Sequence, residues 1–357
     1  MNIQNHFFKD LKVIELASVL AGPAVGMFFA ELGATVIKIE NKAKGGDITR
    51  QWKLDREQKE MSTSAYYRSV NWGKTQLFLD LKQPADRAAL YALVQTADIV
   101  VSNFKPRSAQ QLGIAYEDLK ALNEQLIFAQ LTAFGLASSR LGFDVVLQAE
   151  AGFMHMNGEA DGKAVKMPVA LIDLLAAHQL KEGILVALLQ RFKTGKGSFI
   201  HVSLLEAAIA SLANQATNWL IAQHIPERMG SQHPNIAPYG DIFHTKDQKA
   251  IVIAVGTDRQ FSSLCALLDV EDLAKQTDFK TNTMRVKNRA ALRDHLQIAF
   301  QYHNFEQLMP QLHQAGIPAG QIRNMQEVFQ QEMAQNMLLK YEDGQACVKS
   351  IAFSVES

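Results

Sequence analysis

Apolar positions in the first third of the chain fall into short runs separated by helix-like stretches. Lys12 to Leu16 is a β-rich run and Ala21-Gly22-Pro23 a turn. Ala24 to Leu32 is apolar and stops at Gly33, and Thr35 to Ile39 is β-rich again. Strand, Gly-Pro turn, helix, glycine stop and strand predict a βαβ unit. Such units build parallel sheets with right-handed crossovers. The alternation continues with strands over Leu77 to Leu81, Ile99 to Asn103 and Leu126 to Leu131, and helices over Pro84 to Thr96 and Leu119 to Leu122. It predicts an α/β fold.

After Ala170 the pattern changes. Ala170 to Phe192 reads as one long, mostly apolar helix that stops at the basic, glycine-bearing Lys193-Thr194-Gly195-Lys196-Gly197. Ser198 to Leu204 reads as a strand and Leu205 to Gln223 as a second long apolar helix. Both helices carry little charge, which predicts burial against a large sheet or against another subunit. Ile225 to Tyr239, with Pro226, Pro234, Pro238 and Gly230, reads as a linker. A smaller α/β unit follows, with a strand over Ala250 to Val255 and helices near Arg259 to Leu268 and Asn288 to Tyr302. It exits at Gly316-Ile317-Pro318-Ala319-Gly320, and Tyr341 to Ser357 returns to strand character. The expected division is a large domain over 1–224, a linker over 225–239, a small domain over 240–320 and a return segment over 321–357.

Composition narrows the function classes. Of 357 residues, 48% are hydrophobic, enough for a sizeable core, and Lys+Arg and Asp+Glu are both 36, giving a formal net charge of +0. That balance removes the broad basic footprint of a nucleic-acid binder. Two cysteines far apart, Cys265 and Cys347, make neither a disulfide framework nor a metal motif, and fit a reduced, cytoplasmic chain. The first ten residues lack the basic start and long apolar run of a signal peptide. No stretch reaches the ~20 apolar residues of a membrane span.

The phosphate-loop, nucleophile-elbow, dinucleotide and metalloprotease motifs are all absent. The most unusual residue is Asp173, in Pro168-Val169-Ala170-Leu171-Ile172-Asp173-Leu174-Leu175-Ala176-Ala177. An unpaired carboxylate among apolar neighbours is costly to bury. Asp173 is either the cap of the helix that follows or a nucleophile in an apolar pocket at that helix start, whose N–H groups would meet developing negative charge. The two readings are compatible. Asp144, in Gly142-Phe143-Asp144, reads by itself as a turn or cap residue. Gly230-Ser231-Gln232-His233-Pro234-Asn235 is either a plain linker or a loop that closes over a site. His155, His178 and His201 have no partner at metal-ligand spacing and read as packed or surface residues.

An ordered set of segments resembles the family III CoA-transferases, the group of formyl-CoA transferase and carnitine CoA-transferase, with alpha-methylacyl-CoA racemase as a relative. The segments are Leu16-Ala17-Ser18-Val19-Leu20-Ala21-Gly22-Pro23, Glu31 to Glu40, Asn71-Trp72-Gly73-Lys74 running into Leu79-Asp80-Leu81-Lys82, and Ser102-Asn103-Phe104-Lys105-Pro106 with Leu112-Gly113. They continue with Gly142-Phe143-Asp144, Gln148 to Gly152, the Asp173 segment with Gly183 to Leu188, Lys193 to Gly197, Val202 to Ala207 and His233-Pro234-Asn235. The resemblance implies a large doubly wound, Rossmann-like, CoA-binding domain, a smaller α/β domain, and a homodimer of two interlocked chains. It implies Asp173 as the catalytic aspartate and Asp144 as an acid beside it. It implies CoA contacts at Leu20, Ala21, Asn41, Leu79, Lys82, Asn103 and Phe104. Two departures stand out: a family arginine near CoA is Gln111 here, and the C-terminal Leu-Gly-Glu-His-type motif is missing.

The implied reaction moves CoA from an acyl-CoA to a small carboxylic acid through an anhydride and an aspartyl-CoA thioester on Asp173. No metal or redox cofactor is required, and coenzyme A enters as substrate. The alternatives are a 2-methylacyl-CoA racemase and a non-catalytic CoA-binding protein of the same fold. A racemase needs two acid/base groups, and Phe143 stands where the racemases place a histidine, so one of the two is lost. Fold alone does not guarantee activity, which keeps the non-catalytic reading open, and retention of Asp173 argues against it.

Overall fold

The computed structural model describes residues 7–355. Residues 1–6, most of the stretch read as lacking a leader, and 356–357, the end of the strand-like tail, lie outside the described residues. Contacts group the chain into two units. Among the described residues, the first holds 7–154, 166–225 and 335–355, and the second holds 155–165 and 226–334. The stretch 226–239 therefore goes with the second unit, as does a short excursion between two parts of the first.

In the first unit, β1 (Lys12–Leu16), β2 (Thr35–Asn41), β3 (Thr75–Leu79), β4 (Ile99–Ser102), β5 (Ile127–Thr132) and β6 (Ser198–Ser203) form one six-stranded sheet in the order β3-β2-β1-β4-β5-β6. Every neighbouring pair is parallel. Its helices are α1 (Ala21–Glu31), α2 (Ala65–Arg68), α3 (Pro84–Val94), α4 (Pro106–Leu112), α5 (Tyr116–Lys120), α6 (Asp144–Glu150), α8 (Leu171–Thr194), α9 (Leu204–Ala210) and α10 (Ala213–Ala222), and α7 (Phe153–Met156) leads into the excursion. Alternate strand residues face opposite layers. Val13, Ile99, Val101, Ile127 and Ala129 pack with α1, α8 and α9. Ile14, Leu16, Val100 and Phe128 pack with Leu90, Val94, Ala109 and Leu119 of α3, α4 and α5. Both faces are covered, which is why the strands read as unbroken apolar runs.

The region 204–222 departs from expectation. One long helix was predicted, and two form, because Ala213 takes a left-handed backbone (φ 48°) that interrupts the helical ladder. The two helices also differ in burial within the single chain. The long helix α8 buries one side, including Ile172, Ala176, Leu180 and Ile184, whereas α10 buries no residue in this chain and leaves Leu220 72% and Ile221 81% exposed. Among the described residues, no helix is long and apolar enough to cross a membrane.

The second unit is built on the antiparallel sheet β7 (Tyr239–His244), β8 (Ala250–Ala254) and β9 (Ala319–Gln321), with α11 (Asp258–Leu267), α12 (Asn282–Lys287), α13 (Arg289–Phe300) and α14 (Phe305–Gln314). Phe243 and Phe300 stack at 4.7 Å in its core. The segment 230–235 is fastened within this unit. Arg289 Nη2 donates to the His233 carbonyl at 2.5 Å, Asn282 Nδ2 to the Asn235 carbonyl at 2.8 Å, and Ser231 Oγ to the Gly240 carbonyl at 2.6 Å. The chain then returns to the first unit as the hairpin β10 (Leu338–Lys340) and β11 (Ala346–Val348). Trp72 Nε1 donates to the Lys340 carbonyl at 3.0 Å and Tyr341 Oη to the Arg68 carbonyl at 2.6 Å, fixing the hairpin there. Cys265 and Cys347 are both buried and free.

Candidate active site

In an open parallel sheet the ligand crevice lies at the carboxyl ends of the strands, where the strand order reverses. Here that point is between β1 and β4. The turn after β1 and the turn after β4 are locked to each other there. Asn103 Oδ1 accepts from the Ser18 N–H at 3.2 Å, and Asn103 Nδ2 donates to the Ser18 carbonyl at 2.9 Å. Gly22 lets α1 start close to this turn, since a Cβ at that position would stand 2.3 Å from Ala17 Cβ. The resulting cleft is lined by Val19, Leu20, Ala21, Asn103, Phe143 and Asp173, among others.

Asp173 lies in the first turn of α8 and is buried, with 8% of its surface exposed. It is not the cap of its helix, contrary to one of the two readings above. Asp144 Oδ1 caps it instead, accepting from the Ile172 N–H at 2.7 Å and the Asp173 N–H at 3.4 Å. The Leu171 N–H goes to the Val169 carbonyl at 2.8 Å. The start of α8 therefore keeps no first-turn N–H for an oxyanion, and the expectation that it supplies them is corrected. Helix α1, whose first turn no side chain caps, opens at Ala21 on the same cleft.

Burial, and then the charge on Asp144, push the Asp173 carboxyl up to about 7. Asp144 is itself fixed by Gln148, whose Nε2 donates to Asp144 Oδ2 at 2.6 Å. The Gln148 Oε1 accepts the Met167 N–H at 2.8 Å, so one fully buried amide joins α6 to the segment entering α8. Tyr66, half-buried and edge-on to Trp52 at 5.0 Å, has its phenol pushed up to about 12, first by burial and then by the charges on Asp173 and Asp144. Gln148 and Tyr66 were not singled out from the sequence. Gln148 falls in the Gln148 to Gly152 segment of the family resemblance, to which no site role was attached, and Tyr66 lies between β2 and β3, where the charges on Asp173 and Asp144 act on it.

Of the seven positions expected at CoA, Leu20, Ala21 and Asn103 share the Asp173 cleft. Phe104 is adjacent, partly buried on the α3–α5 side, its carbonyl accepting from Gln130 Nε2 at 3.0 Å. Asn41 and Leu79 are register partners at the carboxyl ends of β2 and β3, and Lys82 is exposed just beyond β3. These four do not line the cleft itself. His155 pairs with Glu227 at 3.4 Å, His178 is exposed on α8, and His201 meets Thr132 Oγ1 at 2.8 Å. Among the described residues no three His, Cys, Asp or Glu side chains are grouped to hold a metal ion.

Comparison with known proteins gives a consistent result. The chain is similar to the succinate–glutarate CoA-transferase of Agrobacterium fabrum, with 37% identity over 94% of this chain and 85% of that one. It is similar to the human succinyl-CoA:glutarate CoA-transferase, with 35% identity over 90% of this chain and 73% of that one. The crystal structure of a CAIB/BAIF family protein from Brucella suis superposes with a TM-score of 0.87 at 37% identity, covering 98% of this chain and 93% of that one. A family model described as CoA-transferase family III matches residues 8–357, and the chain therefore belongs to that family of CoA-transferases.

Proposed function

We propose that this enzyme moves coenzyme A between dicarboxylic acids, with succinyl-CoA as a donor and Asp173 as the covalent nucleophile. The observation that carries the proposal is a buried carboxylate, raised to about 7, facing a cleft at the strand-order reversal of a CoA-transferase fold. A carboxylate of raised basicity is a better nucleophile than an ordinary one while remaining ionised at slightly alkaline pH. The substrate class is supported by the relatives' names, which pair succinate with glutarate, and succinyl-CoA with glutarate or mesaconate.

The Asp173 carboxylate attacks the thioester carbonyl, the C–S bond breaks, and CoA leaves as thiolate from a mixed anhydride. The thiolate attacks the aspartyl carbonyl of the anhydride, releasing the donor acid and leaving aspartyl-CoA. The acceptor carboxylate attacks that thioester, and the thiolate released then attacks the acceptor's carbonyl in the new anhydride, restoring Asp173. At each addition, negative charge develops on a carbonyl oxygen, and the uncapped start of α1 at Leu20–Ala21 offers N–H groups on the same cleft. The CoA nucleotide is assigned to Asn41, Leu79, Lys82, Asn103 and Phe104 along the carboxyl edge of the sheet. Binding energy from that remote part holds the thioester in place.

The enzyme works as a homodimer of interlocked chains in the cytoplasm. The dimer is supported by the apolar side chains of α10, Leu220 and Ile221, and by Phe192 of α8, which is 92% exposed in the single chain. The central test is incubation with succinyl-CoA and hydroxylamine, followed by mass spectrometry of the Asp173 peptide. A hydroxamate on Asp173 supports the covalent route. CoA transfer to glutarate without any modification of Asp173 would remove it as nucleophile, and α-proton exchange in deuterated water without transfer would favour the racemase chemistry.

A further inference from the structure

Val19, in the turn beside Asp173, has a φ of 73°. A β-branched residue in the left-handed region is a backbone outlier. Such a conformation persists only where its surroundings over-determine it, and it clusters at functional sites. Here the surroundings are a buried set of charges beneath the turn. Asp47 accepts the Val19 N–H through Oδ2 at 3.2 Å and Oδ1 at 3.4 Å. Asp47 is paired with Lys38 at 3.1 Å, and Lys38 with Glu15 at 2.8 Å. Glu15 in turn binds Lys74 at 2.7 Å. The two lysines grip the ends of the same turn: Lys38 Nζ donates to the Ala17 carbonyl at 2.7 Å and Lys74 Nζ to the Pro23 carbonyl at 2.8 Å. All four charged residues are buried. Two carboxylates against two ammonium groups leave the set neutral, the condition under which buried charges are tolerated. Helix α1 makes room for it with Gly26, whose Cβ would stand 1.9 Å from Glu15 Oε2.

We propose that Glu15, Lys38, Asp47 and Lys74 form a mould for the Ala17–Pro23 turn, and that Asp47 is a positioning residue for CoA transfer. It acts through the Val19 N–H to aim Leu20 and Ala21 at the thioester. This rests on the Asp173 cleft being the site of transfer. The cluster therefore has a role that its burial alone does not explain. A salt bridge built only for stability would have no need to fasten three backbone points of one cleft-lining turn.

The test uses Asp47→Asn, Val19→Gly and the double variant, with succinyl-CoA as donor and glutarate as acceptor. Glycine adopts the left-handed conformation without strain and so needs the clamp less. In Asp47→Asn, kcat falls by about ten- to a hundredfold, the range that small misplacement of a reacting group produces. The KM for succinyl-CoA stays within about threefold, because most binding energy comes from the remote nucleotide. The double variant recovers most of the lost kcat. Unchanged kcat in Asp47→Asn overturns the proposal. So does a loss that tracks the fall in melting temperature and is not recovered by Val19→Gly. Should Asp47→Asn fail to fold, hydrogen exchange on the intact enzyme decides: a Val19 amide that exchanges as fast as open loop overturns the clamp, and a protected one upholds it. The hydroxamate assay on wild type reports separately on Asp173. If transfer proceeds without that adduct, the nucleophile assignment fails while the same kcat ratios still judge Asp47.

Discussion

Asp144 Oδ1 stands 3.4 Å from the backbone nitrogen of Asp173 and accepts its N–H, while the charge it carries opposes ionisation of the Asp173 side chain. One carboxylate thus holds the helix that presents the other and raises its basicity. Both effects follow from a single placement at the joint start of α6 and α8.

The first consequence is a pH profile. Asp173 must be ionised to attack, and its carboxyl is pushed up to about 7, by burial first and Asp144 second. The kcat/KM of the wild type should rise about tenfold per pH unit below that value and level off above it. Asp144→Asn removes the smaller contribution, so the midpoint should move down yet stay above the ordinary carboxylate range. Initial rates between pH 5 and 9 check this. A midpoint that moves upward in Asp144→Asn would reverse the assignment of causes.

The same raised carboxyl weakens the folded state as pH rises toward neutrality, and the penalty persists above it. Below about pH 4 the group is protonated whether the chain is folded or not, and it makes no difference. From there to about 7 the unfolded chain gives up its proton and the folded chain keeps it, so stability falls as pH rises. At about 1.4 kcal/mol per pH unit, the shift from 3.8 to about 7 corresponds to ~4 kcal/mol. Asp173→Asn should therefore abolish transfer and raise stability by that order at pH 8, with the gain vanishing near pH 4. Denaturant melts of both proteins at the two pH values measure it.

Gln148 should matter to both activity and stability. Gln148→Leu is close in size and leaves the Met167 N–H and one Asp144 oxygen without their partner. The expected loss is ~1–3 kcal/mol of stability, and more than tenfold in kcat as Asp144 and the entry to α8 loosen. Thermal melts and steady-state rates are the readouts. A stability loss with unchanged kcat would confine Gln148 to packing.

The exposed stripe on α10 yields a test of assembly. Light scattering should give twice the 39.6 kDa chain mass for the wild type. Leu220→Asp combined with Ile221→Asp places two charges on positions 72% and 81% exposed in the single chain. The pair should shift the mass toward one chain or leave the protein insoluble. An unchanged dimer of normal stability would exclude α10 from the interface.

Much of the first unit was legible in the sequence because a parallel sheet covered on both faces writes its strands as apolar runs. Val13-Ile14 and Ile99-Val100-Val101 are such runs, with neighbours facing opposite layers. The break before α10 was not legible. Apolar composition continues through Ala213, and only its left-handed backbone divides the two helices. Asp173 stood out as a carboxylate among apolar residues, but its relation to the helix start could not be read locally, since the cap comes from Asp144. The segment 230–235 reads as open linker by composition, and it is tied down by Arg289 and Asn282 from distant helices and by Ser231 to the Gly240 carbonyl. Tyr66 carried no signal at all. Its meaning comes from the two carboxylates whose charge it feels.

The first unit takes one of its pieces from beyond the second unit in sequence. The hairpin β10–β11 hangs on Trp72 and Arg68, and every residue of the second unit is synthesised before it. During translation the large sheet is complete once β6 emerges, but its unit lacks the β10–β11 hairpin until residues 338–348 have left the ribosome. A truncation at 334 would thus spare the later unit and injure the earlier one. Nor can the second unit be excised as one continuous segment, because residues 155–165 belong to it and precede α8. The order of manufacture and the order of assembly are interleaved, and Asp173 lies in the piece of the first unit that runs between the two pieces of the second.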